Sequence, residues 1–139
     1  MSDTGSETEG WAARLNAAPL PYAKYLGIEI LSATPDRIEG HLPVRQELCT
    51  MPDILHGGAI MSFADTLGAV GAFLNLAPGA ATTTVESKTN FLAAVPLGQV
   101  AKGVTVPVHK GRKLTVWETR IYREDGKLAA LVTQSQIVL

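Results

Sequence analysis

The sequence predicts an α+β fold in which a curved antiparallel sheet wraps one long central helix. Two observations carry that reading. The first is Gly57–Leu76, an apolar run whose Ile60, Phe63, Ala64, Leu67, Val70, Gly71 and Leu74 recur at three- and four-residue steps, the spacing of a buried helical stripe. The second is order: two strand-like segments precede this run and four follow it in hairpin sequence. That order excludes a regular βαβ dinucleotide fold, which needs helices between successive strands. A helix this apolar cannot be covered by one flat sheet face, so the sheet curls around it or a second subunit helps.

Each element has its own signal. Met1–Gly10 is polar and acidic and is expected to be a disordered tail (1–10), leaving one domain over 11–139. Trp11–Ala18 reads as a short helix ended by Pro19 and Pro21. Ile28–Ser32 reads as a strand, and Pro35-Asp36 as a turn. From Arg37 the chain alternates, with Ile38, Gly40, Leu42 and Val44 on one face and Arg37, Glu39 and His41 on the other, a half-buried strand. Gln46–Leu55 is expected to be a loop. The long helix then presents a second, more polar face with Ser62, Asp65, Thr66 and Ala69, and Pro78-Gly79 ends the helical region. Thr82–Phe91 alternates Val85, Ser87, Thr89 and Phe91 against Glu86, Lys88 and Asn90. Val100–Val108 sets four valines on one face. Lys110-Gly111 and Asp125-Gly126 are the hairpin turns that separate Leu114–Arg123 from its neighbours, and Lys127–Leu139 is the last strand.

Composition narrows the function classes. The charged share of 18% is low against a typical ~25%, the mark of a chain that hides surface in an oligomer. A net charge of −1 supplies no basic field for nucleic acid or an anionic membrane. The single cysteine, Cys49, excludes an intrachain disulfide. His41, His56 and His109 have no metal-ligand spacing. The long apolar helix approaches the length of a membrane span, but Asp65 at its centre, its glycines and the lack of flanking Lys and Arg argue against one. A cytoplasmic protein with no metal and no cofactor is expected.

The chemistry concentrates in the same run. Between Ile54 and Val85 the only charged side chain is Asp65, and a carboxylate in such a segment is costly unless something pairs with it. His56-Gly57-Gly58 opens the helix, where unpaired backbone N–H groups collect. A lone acid and a cluster of free amides are the parts of an acyl-transfer site.

Several motifs together resemble the hotdog-fold acyl-CoA thioesterases of the PaaI and 4-hydroxybenzoyl-CoA thioesterase group. They are Leu26-Gly27-Ile28, Leu55-His56-Gly57-Gly58 followed by Ala64-Asp65-Thr66, Phe91-Leu92 with Pro96-Leu97-Gly98, and the hairpins Lys110-Gly111-Arg112 and Asp125-Gly126-Lys127. The resemblance runs from about Pro21 to Val138. It implies hydrolysis of an acyl- or aryl-CoA thioester to the free acid and CoA, the CoA entering only as part of the substrate. Asp65 would be nucleophile or general base, with the Gly57 amide, joined by Gly58, as oxyanion donor. His56 would orient the loop or bond the thioester oxygen. Thr84 stands where the group often has a Ser or Thr that positions water or the acid. Thr66 belongs to the acid's motif on the substrate side, and Lys110, Gly111 and Arg112 would grip the CoA phosphates. The sequence departs from the group at Thr50, where Asn or Gln is frequent and the shorter side chain has less reach, and at Asp53, where Gly is common.

Plainer readings stand beside these. The glycines can serve a tight turn, Asp65 a structural network, Thr84 packing, and the basic hairpin a solvated tip. A non-hydrolytic acyl-CoA-binding module and a hotdog hydratase or dehydratase are the competing functions. One geometric argument favours the hydrolase as an oligomer. Gly57 and Asp65 are eight residues apart, hence ~12 Å along one helix, too far to touch one carbonyl carbon. Two antiparallel helices meeting across a two-fold axis would bring them together, giving a homodimer with shared sites. The resemblance extends this to a dimer of dimers.

Overall fold

The computed structural model describes residues 4–139, so Met1–Asp3 of the expected acidic tail lie outside the described residues. From Thr4 the chain is helical: α1 spans Thr4–Ala17 and takes in both the helix expected at Trp11 and most of the stretch expected to be disordered. A second helix that the sequence reading had passed over, α2 (Pro21–Leu26), precedes β1 (Glu29–Thr34) and β2 (Arg37–Pro43). Its signals are ordinary ones: Pro21 in the first turn and Gly27 at φ 85° as a left-handed cap. The expected loop holds a 3-10 turn, Gln46–Leu48, and a two-residue hairpin of β3 (Cys49–Thr50) and β4 (Ile54–Leu55). The long helix α3 (Gly57–Leu74) follows, then β5 (Thr82–Phe91), β6 (Val100–Lys110), β7 (Leu114–Tyr122) and β8 (Leu128–Val138).

Six strands form one antiparallel sheet in the order β1-β2-β6-β7-β8-β5, with α3 packed on its concave face, the α+β arrangement expected. Half of α3 is buried inside the fold, although its length and composition alone would suit a membrane span. Its stripe Phe63, Ala64 and Leu67 joins Ile38, Leu42 and Ile121 in a fully buried core, and Trp117, also fully buried, lies against Gly71. The approach is close because glycines stand where side chains would collide. A Cβ on Gly103 would lie 2.5 Å from Leu67 Cδ1, and one on Gly71 would lie 2.8 Å from the Trp117 ring. For the same reason the inward residues of β6 are Ala101, Gly103 and Thr105, and the valines expected to share a face point outward.

Two irregularities re-aim side chains. Between Thr84 and Glu86 the pairing of β5 with β8 slips by one residue, a β-bulge at Val85. Val85 is pushed into solvent instead of sharing a face with Ser87, while Thr84 turns inward opposite Gln136. At the far edge, Asn16 of α1 accepts from Ile30 N (2.8 Å) and donates to Ile30 O (2.7 Å), standing in for a neighbouring strand on β1.

Over-packing this contact should be costly. Gly103→Ala is expected to destabilise the protein by about 1–3 kcal/mol, since Leu67 and Phe63 must leave their rotamers or the helix must lift. Urea unfolding measures it, and an unchanged midpoint would mean that the helix does not sit this close.

Candidate active site

The start of α3 is set by backbone ties on either side: Leu55 N donates to Val95 O and His56 N to Leu48 O, both at 2.8 Å. His56 is the N-cap, and its Nδ1 accepts from Gly58 N at 2.7 Å. The contact is close: a Cβ at Gly58 would lie 3.0 Å from His56 Nδ1, so a larger residue there would require the imidazole to shift by a few tenths of an ångström. Two consequences follow. An Nδ1 that accepts carries no proton, so a neutral His56 holds its proton on Nε2. The Gly58 amide is occupied by the cap and does not join Gly57 as an oxyanion donor. Among the described residues the Gly57 N–H has no acceptor, and the helix dipole adds to its pull on negative charge. The Phe91 ring from the end of β5 stands beside Gly57, 3.2 Å from where its Cβ would be.

Two turns along α3, Asp65 faces β5 and β8. Its Oδ1 accepts from Thr84 Oγ1 at 2.7 Å and from Gln134 Nε2 at 3.1 Å. Thr84 in turn accepts from Gln136 Nε2 at 2.5 Å, and Gln136 Oε1 accepts from Thr82 Oγ1 at 3.1 Å. Gln134 and Gln136 are each 1% exposed. The acid in the apolar helix thus has partners, and Thr84, among the sequence candidates, is one of them. The glutamines were missed. Their signal was present: they sit two residues apart on β8, in phase with the buried Ala130 and Val132.

The other candidates lie elsewhere. Thr66 shares no face with Asp65, since its Oγ1 donates to Ser62 O (2.8 Å) and it borders the crevice under α1 and α2. Thr50 is exposed on β3 opposite Ile54, without a side-chain partner among the described residues. Asp53, in the position where the resembling group favours glycine, has φ 55°, the left-handed conformation that glycine adopts without strain. Lys110, Gly111 and Arg112 border a crevice of about 290 Å³ with Asn75, at the C-terminal end of α3. Lys110 Nζ is paired with Asp36 at 2.5 Å. An 18-residue helix spans about 27 Å, so within one chain this basic hairpin is far from Gly57. A hollow of about 370 Å³ between Tyr22, Tyr25, Leu48 and Cys49 opens onto His56 and Ser62. A further concavity, about 620 Å³, is on the outer sheet face around Lys102, Glu118 and Arg120, away from all of these groups. Among the described residues no group of three His, Cys, Asp or Glu side chains could hold a metal ion.

Comparison with known proteins follows the same lines. The family model described as "Thioesterase superfamily" matches residues 53–130, more than half of the chain and the stretch that includes His56, Gly57, Asp65 and Thr84. The proofreading thioesterase EntH of Cronobacter turicensis is 36% identical over 104 residues, covering 75% of each chain. A solved thioesterase from Haemophilus influenzae superposes with a TM-score of 0.83 at 26% identity, over 95% of this chain and 90% of that one. The PaaI protein of E. coli, from the phenylacetic acid degradation operon, gives 0.84 at 22% identity, over 93% and 91%, and has the same fold.

Cys49, beside the hollow, is not poised as a nucleophile. Burial, together with the Asp53 and Glu47 carboxylates, holds its thiol above the ordinary value, so less thiolate is present at neutral pH. Iodoacetamide should therefore alkylate Cys49 more slowly in the native protein than in urea, and the native rate should still climb at a pH where the unfolded rate has levelled. Equal rates and equal midpoints would contradict this environment.

Proposed function

The chain belongs to the thioesterase superfamily and is a thioester hydrolase of hotdog fold, and we propose that it hydrolyses an acyl- or aryl-CoA thioester at a site shared between two subunits. The observation that carries this reading is the pair formed by the unoccupied Gly57 amide and the tethered Asp65 carboxylate on one helix. In the reaction the thioester oxygen gains negative charge as a nucleophile adds to the carbonyl carbon. The Gly57 N–H meets that charge at the helix N-terminus. Asp65 either adds directly, to be released later by water, or takes the proton from the attacking water. The C–S bond then breaks and CoA leaves as the thiol.

The separation of the two groups supports the shared site. Eight residues put them ~12 Å apart along the axis, so the amide of one subunit works with the carboxylate of the other. The same antiparallel pairing carries the far end of the partner helix, with its Lys110–Arg112 hairpin, about 13 Å beyond the start of α3, where the phosphates of CoA would be held. Dimers pairing into tetramers, and a cytoplasmic setting, complete the proposal. His56 shapes the site through its cap on Gly58, and Thr50 takes the place of the amide side chain frequent in the group, with shorter reach.

Thiol release from a panel of acyl- and aryl-CoAs tests the reading. Asp65→Asn and Asp65→Ala should each lower turnover on the order of 10²-fold or more. Full turnover in both, or no hydrolysis across a broad panel by the wild type, would overturn it. Gly57→Pro removes the amide donor at a helix position proline favours, His56 at ψ 139° already has the conformation preferred before proline, and the half-exposed Phe91 ring, 3.2 Å from the added Cβ, has to shift only by a few tenths of an ångström. Its kcat should fall about 10²-fold. Verified mixed dimers of Asp65→Asn with Gly57→Pro should recover part of the wild-type rate, because half of the mixed sites contain both intact groups. No recovery would rule out a shared site.

A further inference from the structure

The hydrogen bonds around Asp65 have a single possible direction. As the nucleophile or general base, Asp65 reacts as a carboxylate and can only accept, so the one proton of Thr84 lies on the 2.7 Å line to Oδ1. Thr84 Oγ1 must then accept from its other neighbour, which obliges Gln136 to present Nε2 and turns Oε1 toward the Thr82 hydroxyl. A reversed Gln136 amide would set acceptor against acceptor. The chain therefore runs Gln136, Thr84, Asp65, with Thr82 at its outer end, where one hydroxyl proton faces both Gln136 Oε1 and Ile137 O, and Gln134 Nε2 adds a second donor to the same Oδ1. Among the described residues no donor lies on Oδ2.

Gln134 is held in place at a structural cost. Its Oε1 is buried without a partner, and an apolar side chain of the same length would avoid that cost. Its amide reaches Asp65 only because residue 68 is glycine: a Cβ there would lie 2.1 Å from Oε1. Two nearly inaccessible glutamines and a glycine thus converge on one carboxylate oxygen. We propose that Gln134 and Gln136 are positioning residues of the hydrolase, Gln134 directly and Gln136 through Thr84, which tie Asp65 by Oδ1 so that Oδ2 is the oxygen presented to substrate or water. The inference rests on Asp65 being the reacting group.

The test is a comparison of stability with steady-state kinetics on whichever CoA thioester the wild type hydrolyses fastest. Gln134→Met keeps length and removes both the amide and the orphaned oxygen, so Tm should hold or rise while kcat falls about tenfold with KM unchanged, the loss expected for one buried hydrogen bond. Gln136→Met should show the same split in kcat and KM. Thr84→Ser, which retains the hydroxyl, should stay near wild type, and Thr84→Val should not. Wild-type kcat in both methionine variants overturns the inference, as does equal impairment of Thr84→Ser and Thr84→Val. Should Gln136→Met fold poorly, Thr82→Val interrupts the chain at its outer end and is expected to lower kcat by a smaller factor, with wild-type kcat again counting against it. Asp65→Asn separates the two levels: its full turnover overturns both this inference and the assignment of Asp65. Its loss alongside fully active methionine variants overturns this inference alone.

Discussion

Everything at the site depends on how closely α3 lies against the sheet. Gly40 and Gly103 of the strands and Gly68 and Gly71 of the helix remove a layer of Cβ atoms from the interface, and Leu67, Gln134 and Trp117 occupy the space. With one more methyl layer, Gln134 would stop short of Asp65 and the carboxylate would face the sheet without a donor from β8. The close contact is a core-packing solution first, fixed by Phe63, Leu67 and Trp117. It also makes an acid in an apolar helix tolerable, because the strands beneath can supply hydrogen bonds to it.

The order of elements was legible because it is written in periodicity. Seven apolar positions define the stripe of α3, and clean alternation defines β2, where Ile38 and Leu42 are buried, as is Val44 just past its end. The features that went unseen are those that one residue decides. Nothing in Thr83-Thr84-Val85-Glu86 announces a bulge, so strict alternation sets Val85 on the face of Ser87 and Thr84 on the other. The facing of β6 was undecided for a related reason: four valines look like core until glycines show which side the helix takes. Helix α2 had a proline start and a glycine stop, yet its six residues are too few to show a period.

At the site, residue types were easier to find than partnerships. Asp65 and Gly57 stood out by being isolated and by opening a helix. That Gly58 is spent on His56, or that Thr66 bonds its own helix instead of facing Asp65, depends on side-chain rotation, which no spacing encodes. The long-range bonds from Thr84, Gln134 and Gln136 join segments 19 and more residues apart. Two glutamines in phase with Ala130 and Val132 were the one available hint.

The two margins of the sheet are chemically unequal. At β1, the side-chain amide of Asn16 already takes the N–H and the C=O of Ile30 that an incoming strand would need. At β5 the outer margin has no strand beside it, and Val85 and Phe91 stand exposed along it. Open-ended growth requires unlike margins to join, β5 of one molecule on β1 of the next, and Asn16 obstructs that join. A β5-to-β5 junction would join like margins and close on itself. The asparagine thereby denies the sheet the second receptive margin that open-ended, strand-by-strand growth would require.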